Sequence, residues 1–243
     1  MTSLLSTSAM AQLTVMISGG FNGPYQKLLP QFEKDTGITV TTLSGASQGS
    51  GPKTIKAQLA TGVHVDAVIL SREGLAELIG QGKIIPGSDI DLGNAPLGAA
   101  VPAGAPHPDI STMDSFKKSL LKIKTVAVPG STSGIYLVNE LFPKMGISQQ
   151  ISVQVTERGS QATSLLAAKS VGIALQPTSE LFDVVGIEFI GRLPKEAQLI
   201  QTFTAAIVMG SKETVAAKKL IALLSSPEAV PIIQNSGLDP VPK

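Results

Sequence analysis

The chain has 243 residues, 43% apolar and 15% charged, with a formal net charge of +1. That balance excludes a disordered chain, and without clustered Lys and Arg it excludes a nucleic-acid surface. Cysteine is absent and His64 and His107 are the sole imidazoles, so disulfides, thiolate chemistry and multi-histidine metal centres are excluded as well.

In chain order, Met1–Gln12 carries no charge and passes through Ala9-Met10-Ala11, the small-x-small pattern that precedes signal cleavage. Residues 1–11 are read as the tail of a trimmed export signal, which implies a periplasmic protein, the alternative being an ordinary flexible N-terminus. No later run has the 18 apolar residues of a membrane span, so no membrane insertion is expected. Leu13–Ile17 reads as a strand that enters the bend Ser18-Gly19-Gly20-Phe21. Free backbone N–H groups at such a bend seat an anion, with glycine permitting close approach. Pro24 suits the first turn of a helix to about Asp35, with Leu28, Leu29 and Phe32 inward, a kink at Pro30 and a stop at Gly37.

A strand at Ile38–Leu43 leads to Ser47-Gln-Gly-Ser50-Gly51-Pro52 ahead of a helix near Lys53. Ala67–Leu70 leads to Ser71-Arg72-Glu73 and a helix over Leu75–Ile79. His64 precedes that strand, away from its carboxyl end. The Gly/Pro-rich stretch Leu92–Pro106 breaks the alternation and reads as a crossing between lobes, with His107 in a solvated loop. Ser111 and Asp114 resemble a capping box ahead of Phe116, Leu120 and Leu121.

Thr125–Val128 precedes Ser131-Thr132-Ser133-Gly134 and a helix over Ile135–Leu141. Ile151–Val155 precedes Gly159-Ser160-Gln161 and a helix over Ala162–Ala168. Val171–Leu175, Ile187–Ile190 and Phe203–Met209 complete the strands. Lys212–Leu224 has Val215, Ala216, Leu220 and Leu223 at core spacing, and Ser226-Pro227 opens a terminal helix. The alternation implies an α/β fold with a largely parallel sheet.

Five strand ends therefore carry Ser, Thr or Gly and then a helix. In open α/β sheets ligands bind outside those ends. Each helix start adds roughly half a positive charge, which suits a small anion. Arg72 is read as a bidentate carboxylate holder, the alternative being an ion pair with Glu73 or another nearby acid. No Ser-His-Asp order, GxxxxGK loop or GxGxxG fingerprint occurs. No metal or cofactor is expected.

Leu13-Thr-Val15, Phe32–Val40, Ala60–Ile69, Leu92-Gly-Asn94, Ser133-Gly-Ile-Tyr136 with Glu140-Leu141, Gly172-Ile173 and Ser225–Ala229 resemble the periplasmic molybdate-binding proteins of ABC importers. The resemblance implies a two-lobe, type II periplasmic-binding-protein fold with a ligand cleft between lobes. Lobe 1 would be 12–92 plus 206–243 and lobe 2 would be 93–205, with crossings near 92–101 and 199–208. In that family serine hydroxyls, backbone N–H groups and a tyrosine hold the oxyanion. Here Gly19-Gly20 stands where the first ligand serine belongs, an insertion with Gly51-Pro52 alters the second loop, and Leu175 falls at the tyrosine.

Those losses, with Arg72 gained, favour a small carboxylate or polycarboxylate over molybdate. The Ser-Gly-Gly-Phe bend, Ser71-Arg72 and Gln176–Leu181 resemble a divergent branch similar to bacterial aconitate isomerase, an exported enzyme interconverting trans- and cis-aconitate. Two functions stay open beside a sensor role. One is a monomeric binding protein that delivers the anion to an ABC permease. The other is an allylic proton shift in the same cleft. The ligand set is Ser18, Gly19, Gly20, Phe21, Ser47, Ser50, Gly51, Ser71, Arg72, Ser131, Thr132, Ser133, Gly159, Ser160 and Gln176. A base would come from Tyr136, Glu73, Glu157, Glu180 or His64.

Overall fold

The structure, a computed structural model, describes residues 12–242. The expected signal tail at 1–11 lies outside the described residues. Two five-stranded sheets form the frame. The first is ordered β2-β1-β3-β10-β4, from β1 (Gln12–Ile17), β2 (Thr39–Ser44), β3 (Ala67–Ser71), β4 (Ile90–Ala95) and β10 (Gln201–Ile207). The second is ordered β7-β6-β8-β5-β9, from β5 (Leu97–Pro102), β6 (Thr125–Pro129), β7 (Ser152–Thr156), β8 (Ile173–Pro177) and β9 (Ile187–Arg192).

Neither sheet is wholly parallel. In the first, β1 runs parallel to β2 and β3, while β10 is antiparallel to both β3 and β4. In the second, β6 runs parallel to β7 and β8, while β5 is antiparallel to β8 and β9. The one reversed strand of each sheet is the strand that has just arrived from the other lobe. Pro96 alone links β4 to β5, and residues 193–200 link β9 to β10.

The expected lobe limits at 92/93 and 205/206 both cut strands, because ladder pairing keeps 93–95 and 201–205 in the first sheet. The Gly/Pro-rich crossing stretch contains β5 and the end of β4. Both hide from an apolar-pattern search because Gly93, Gly98, Ala99 and Ala100 supply packing room instead of bulk. A Cβ on Gly98 would stand 2.6 Å from the Phe189 ring.

Both faces of each sheet are covered, which is why the strands read as apolar runs. Leu13, Val15 and Ile17 face a core with Leu28 and Phe32 of α1 (Asn22–Thr36) and Leu220 and Leu224 of α8 (Thr214–Leu224). Met16, Val68 and Leu70 face the opposite way, toward Ile55 of α2 (Ile55–Ala60) and Leu75 and Leu78 of α3 (Arg72–Gly80). In the second lobe, Val126 and Val128 pack with Phe116 and Leu120 of α4 (Met113–Ile123) and with Leu137 and Leu141, just beyond α5 (Thr132–Tyr136). Ala127 and Ala174 face Ala162 and Leu166 of a helix at Gly159–Ala167, which follows the short α6 (Phe142–Met145) and is called α7.

Local expectations shift in two places, at α4 and at α8. α1 continues through Pro30, which lies on the exposed side, where a carbonyl lacking its N–H partner meets water. Gly37 then ends the helix at φ 67°. Thr112, not Ser111, caps α4 by accepting from the Ser115 N–H (3.1 Å), while Asp109 holds Ser111. Val215 is 68% exposed, and α8 buries Ala217 and Ile221 instead. No helix among the described residues is long and apolar enough to cross a membrane.

Candidate functional site

A cavity of about 600 Å³ lies between the lobes, at the carboxyl ends of β1, β2, β6, β7 and β8. That volume suits a small organic ligand. β1 delivers Ser18 in an extended conformation, and a tight turn over Gly19–Phe21 follows before α1. The Ser18 N–H donates to Ile69 O (2.9 Å), but its buried Oγ has no partner. Ser179 Oγ and Gln201 Oε1, also on the cavity wall, are buried and unpartnered as well. Buried polar atoms are normally satisfied, so three in one cavity indicate a missing polar occupant.

The glycines of the bend do something other than expected. A Cβ on Gly20 would strike the Phe203 ring, and a Cβ on Gly19 would strike Glu180 Oε1. From the other lobe, a Cβ on Gly159, the first residue of α7, would strike Glu180 Oε2. The two glycines thus make room for the Glu180 carboxyl, clasped between the chain entering α1 and the start of α7. Among the described residues no hydrogen bond or ion pair reaches those carboxyl oxygens. Burial pushes the Glu180 carboxyl up to about 7, against the opposing field of Arg158.

Arg158 is the cation of this cavity. It caps α7, and its Nη1 donates across the cleft to Ser44 Oγ (3.0 Å). Of the three arginines in the chain, Arg72 is ion-paired to Asp89 and Asp91 and Arg192 to Asp239, whereas Arg158 makes no ion pair among the described residues. The expectation for Arg72 is therefore corrected. Its Nη1 meets Asp89 Oδ2 at 2.5 Å, its Nε donates to Asp91 Oδ1 (3.1 Å), and it does not line the cavity. The acids come from β4 and the turn before it, so the alternative of an ion pair with a nearby acid holds, with Asp89 and Asp91 in place of Glu73.

Of the remaining expected ligand residues, Ser18, Gly19, Gly20, Ser47, Ser131, Ser133, Gly159 and Ser160 line the cavity. Phe21, Ser50, Gly51, Ser71, Thr132 and Gln176 do not. Phe21 is wholly buried in the first core, and Ser50 sits exposed on an outer turn beside Gly51. Ser71 Oγ bonds Thr132 Oγ1 (2.9 Å), and the Gln48 N–H donates to Ser131 Oγ (3.3 Å), so these hydroxyls fasten lobe to lobe beside the cleft. Gln176 is buried and donates through Nε2 to Glu180 O (3.0 Å), which holds the turn that carries the carboxyl.

The base candidates separate cleanly. Tyr136 packs beside the second core with its OH toward Ala197 O (3.4 Å), Glu73 lies on α3 outside the cavity, and His64 sits 3.4 Å from Asp66. Glu157 lines the cavity but forms an exposed ion pair with Lys53 (3.3 Å). Glu180 remains. Leu175, at the family's tyrosine position, is buried core. Arg158, Ser179 and Gln201 escaped the sequence reading. For Arg158 a signal existed, because it immediately precedes the Gly159-Ser160 loop already marked as a strand end. No group of three or more metal-ligating side chains occurs among the described residues.

Comparison with known proteins places this geometry. An aconitate isomerase from Pseudomonas sp. is 35% identical over 99% of this chain and 92% of its own length. The Azotobacter vinelandii periplasmic molybdate-binding protein superposes with a TM-score of 0.73 at 20% identity, covering 95% of this chain and all of its own. A sulfate-binding protein from Mycobacterium tuberculosis superposes with a TM-score of 0.72 at 16% identity, covering 96% of this chain and 88% of its own. Those two likenesses establish the two-lobe periplasmic-binding-protein fold. The profile of the bacterial extracellular solute-binding proteins matches residues 13–239, and the chain belongs to that family.

Proposed function

We propose that the protein captures a small polycarboxylate anion in the cleft between its lobes, one carboxylate resting on Arg158. The observation that carries this reading is the unpaired Arg158 guanidinium in a cavity with three unpartnered polar atoms. A guanidinium holds a planar carboxylate through two parallel hydrogen bonds. The starts of α1 and α7 favour negative charge at the same place. Molybdate fits less well, because Gly19 and Leu175 replace hydroxyl-bearing family positions. Delivery to an ABC permease after export, with residues 1–11 as the signal remnant, accords with family membership. A monomer suffices, since one chain supplies the whole cavity wall.

Calorimetric titration with tricarballylate, trans-aconitate and molybdate tests the reading. Binding of the tricarboxylates and not of molybdate is the expected result. Binding of molybdate alone would overturn it.

A second reading is favoured by one observation, the aconitate isomerase that matches nearly the whole chain at 35% identity. In that reading the bound anion is aconitate, and the cleft shifts a proton along its allylic three-carbon unit. Proton NMR of trans-aconitate in D2O with catalytic protein tests it. Cis-aconitate carrying deuterium supports turnover, and an unchanged spectrum leaves capture alone.

A further inference from the structure

An anion-binding cavity with a carboxyl group in its wall presents a contradiction. Like charge repels the ligand, so a carboxylate there weakens capture unless it does something else. Glu180 is not present to hold Arg158, since the two form no ion pair, and no described group hydrogen-bonds its oxygens. Yet the fold provides for it. Gly19 from the first lobe and Gly159 from the second leave the space that its two oxygens occupy, and any larger residue at either place collides with it.

Its carrier is also fixed. Glu180 ends the short turn Thr178–Glu180, where Thr178 Oγ1 donates to Gly237 O (2.5 Å) and Gln176 Nε2 donates to Glu180 O. A group held this firmly, unpaired and facing the cavity, is placed for chemistry.

We infer that Glu180 is the catalytic residue of this cleft, its carboxylate removing a proton from the CH2 carbon of bound aconitate and returning one at the far end of the three-carbon unit. The inference rests on the turnover reading above. In the first half of the reaction the C–H bond breaks and Glu180 takes the proton. The electron pair spreads over the three carbons and the flanking carboxylate. In the second half a C–H bond forms at the other terminal carbon, the double bond moves, and the Glu180 carboxylate is restored. No oxidant, reductant or co-reactant is required. Arg158 and the N–H groups at the starts of α1 and α7 stabilise the carboxylate on which charge grows.

The acidity of Glu180 suits the task, since a carboxyl raised to about 7 is a stronger base than an ordinary glutamate and is still substantially ionised near neutrality. The charged neighbours are Arg158 and Glu157, just before α7, with Glu157 engaged by Lys53. Residues 18–21 and Gln176 face Glu180 without bringing a charge.

Glu180→Gln keeps the shape and removes the basicity. The wild type and this variant are compared in three ways: isomerisation of trans-aconitate with deuterium incorporation by NMR in D2O, affinity for tricarballylate, and melting temperature. Tricarballylate has no double bond and reports binding alone. The expected result is a loss of isomerisation and exchange of about 10²–10⁴-fold, with tricarballylate affinity equal or tighter and the fold intact. Wild-type kcat/KM should rise with pH through about 7.

Activity of the variant within tenfold of wild type overturns the assignment. So does a hundredfold loss of tricarballylate affinity, which would make Glu180 a ligand contact. Wild-type protein that binds tricarballylate but neither isomerises nor exchanges trans-aconitate removes the turnover reading, and this assignment with it, and leaves capture standing.

Discussion

The two arginines that compete for the ligand make opposite predictions, and a pair of variants separates them. Arg158→Ala removes a guanidinium whose one hydrogen bond among the described residues is to Ser44 Oγ at 3.0 Å, so the folded state loses about 1 kcal/mol or less. Its ligand loses a charge-assisted pair worth ~1.5–3 kcal/mol, a fall in affinity of roughly 10–150-fold. Arg72→Ala does the reverse. It strands Asp89 and Asp91, with side chains of all three residues between 26% and 39% exposed, so water screens the loss to about 1–2 kcal/mol. At about 2–4 °C per kcal/mol for a chain of this size, the melting temperature falls by ~2–8 °C. Its affinity for tricarballylate should equal that of wild type. Calorimetric titration and thermal melting on the same preparations read both axes. Loss of affinity in the Arg72 variant with retention in the Arg158 variant would refute the placement of the cleft's cation.

Three further perturbations follow from the same geometry. Gly20→Ala drives a methyl into the Phe203 ring within the first core, and should cost about 1–3 kcal/mol, read as a lower melting temperature. Gly159→Ala displaces the Glu180 carboxyl into the cavity and should weaken tricarballylate binding at least ~10-fold, whereas Gly51→Ala, with open space around it, should leave affinity and melting unchanged. Glu180 also sets a pH dependence of stability. Its carboxyl lies above its ordinary 4.5, so the folded state holds the proton more tightly, a contribution present below pH 4.5 and lost as pH rises to about 7. At roughly 1.36 kcal/mol per pH unit that interval is worth up to ~3 kcal/mol. Glu180→Gln should therefore melt several degrees higher than wild type at pH 8, with the advantage gone near pH 4.

The parts of the fold that were legible in the sequence are those where a strand buries branched or long apolar side chains on at least one face. Leu13–Ile17, Ala67–Leu70 and Thr125–Val128 stand out for that reason and sit where the strands are. β4 and β5 were illegible because tight packing there is made by glycine and alanine, which leave no apolar signature. That one omission propagated. Without β4 nothing set Asp89 and Asp91 beside Arg72, so the ion-pair alternative had no specific partner beyond Glu73 and the ligand role looked the better one. The strand-end loops were legible as loops, but serine reads alike whether its hydroxyl faces a cavity, as at Ser18, or bridges two lobes, as at Ser71. Sequence separates those cases only when the pairing of distant segments is known.

The same dependence on distant segments explains the most consequential group in the cleft. Gln176–Leu181 carries part of the family resemblance and Glu180 is one of five base candidates, but nothing local sets it above the others, since an isolated glutamate after Ser179 would be an ordinary solvated carboxylate. Its environment is assembled from Gly19 in one lobe and Gly159 in the other. The first sheet positions Gly19 at the end of β1, and the second positions Gly159 after β7. Desolvation is what raises the carboxyl, and part of that cover, at Gly19, belongs to the lobe that does not carry it. The first lobe therefore reaches this group twice, through Gly19 beside the carboxyl and through Ser44 on Arg158. In this architecture the proton affinity of Glu180 depends on both lobes at once, so no single segment of the chain could reveal it.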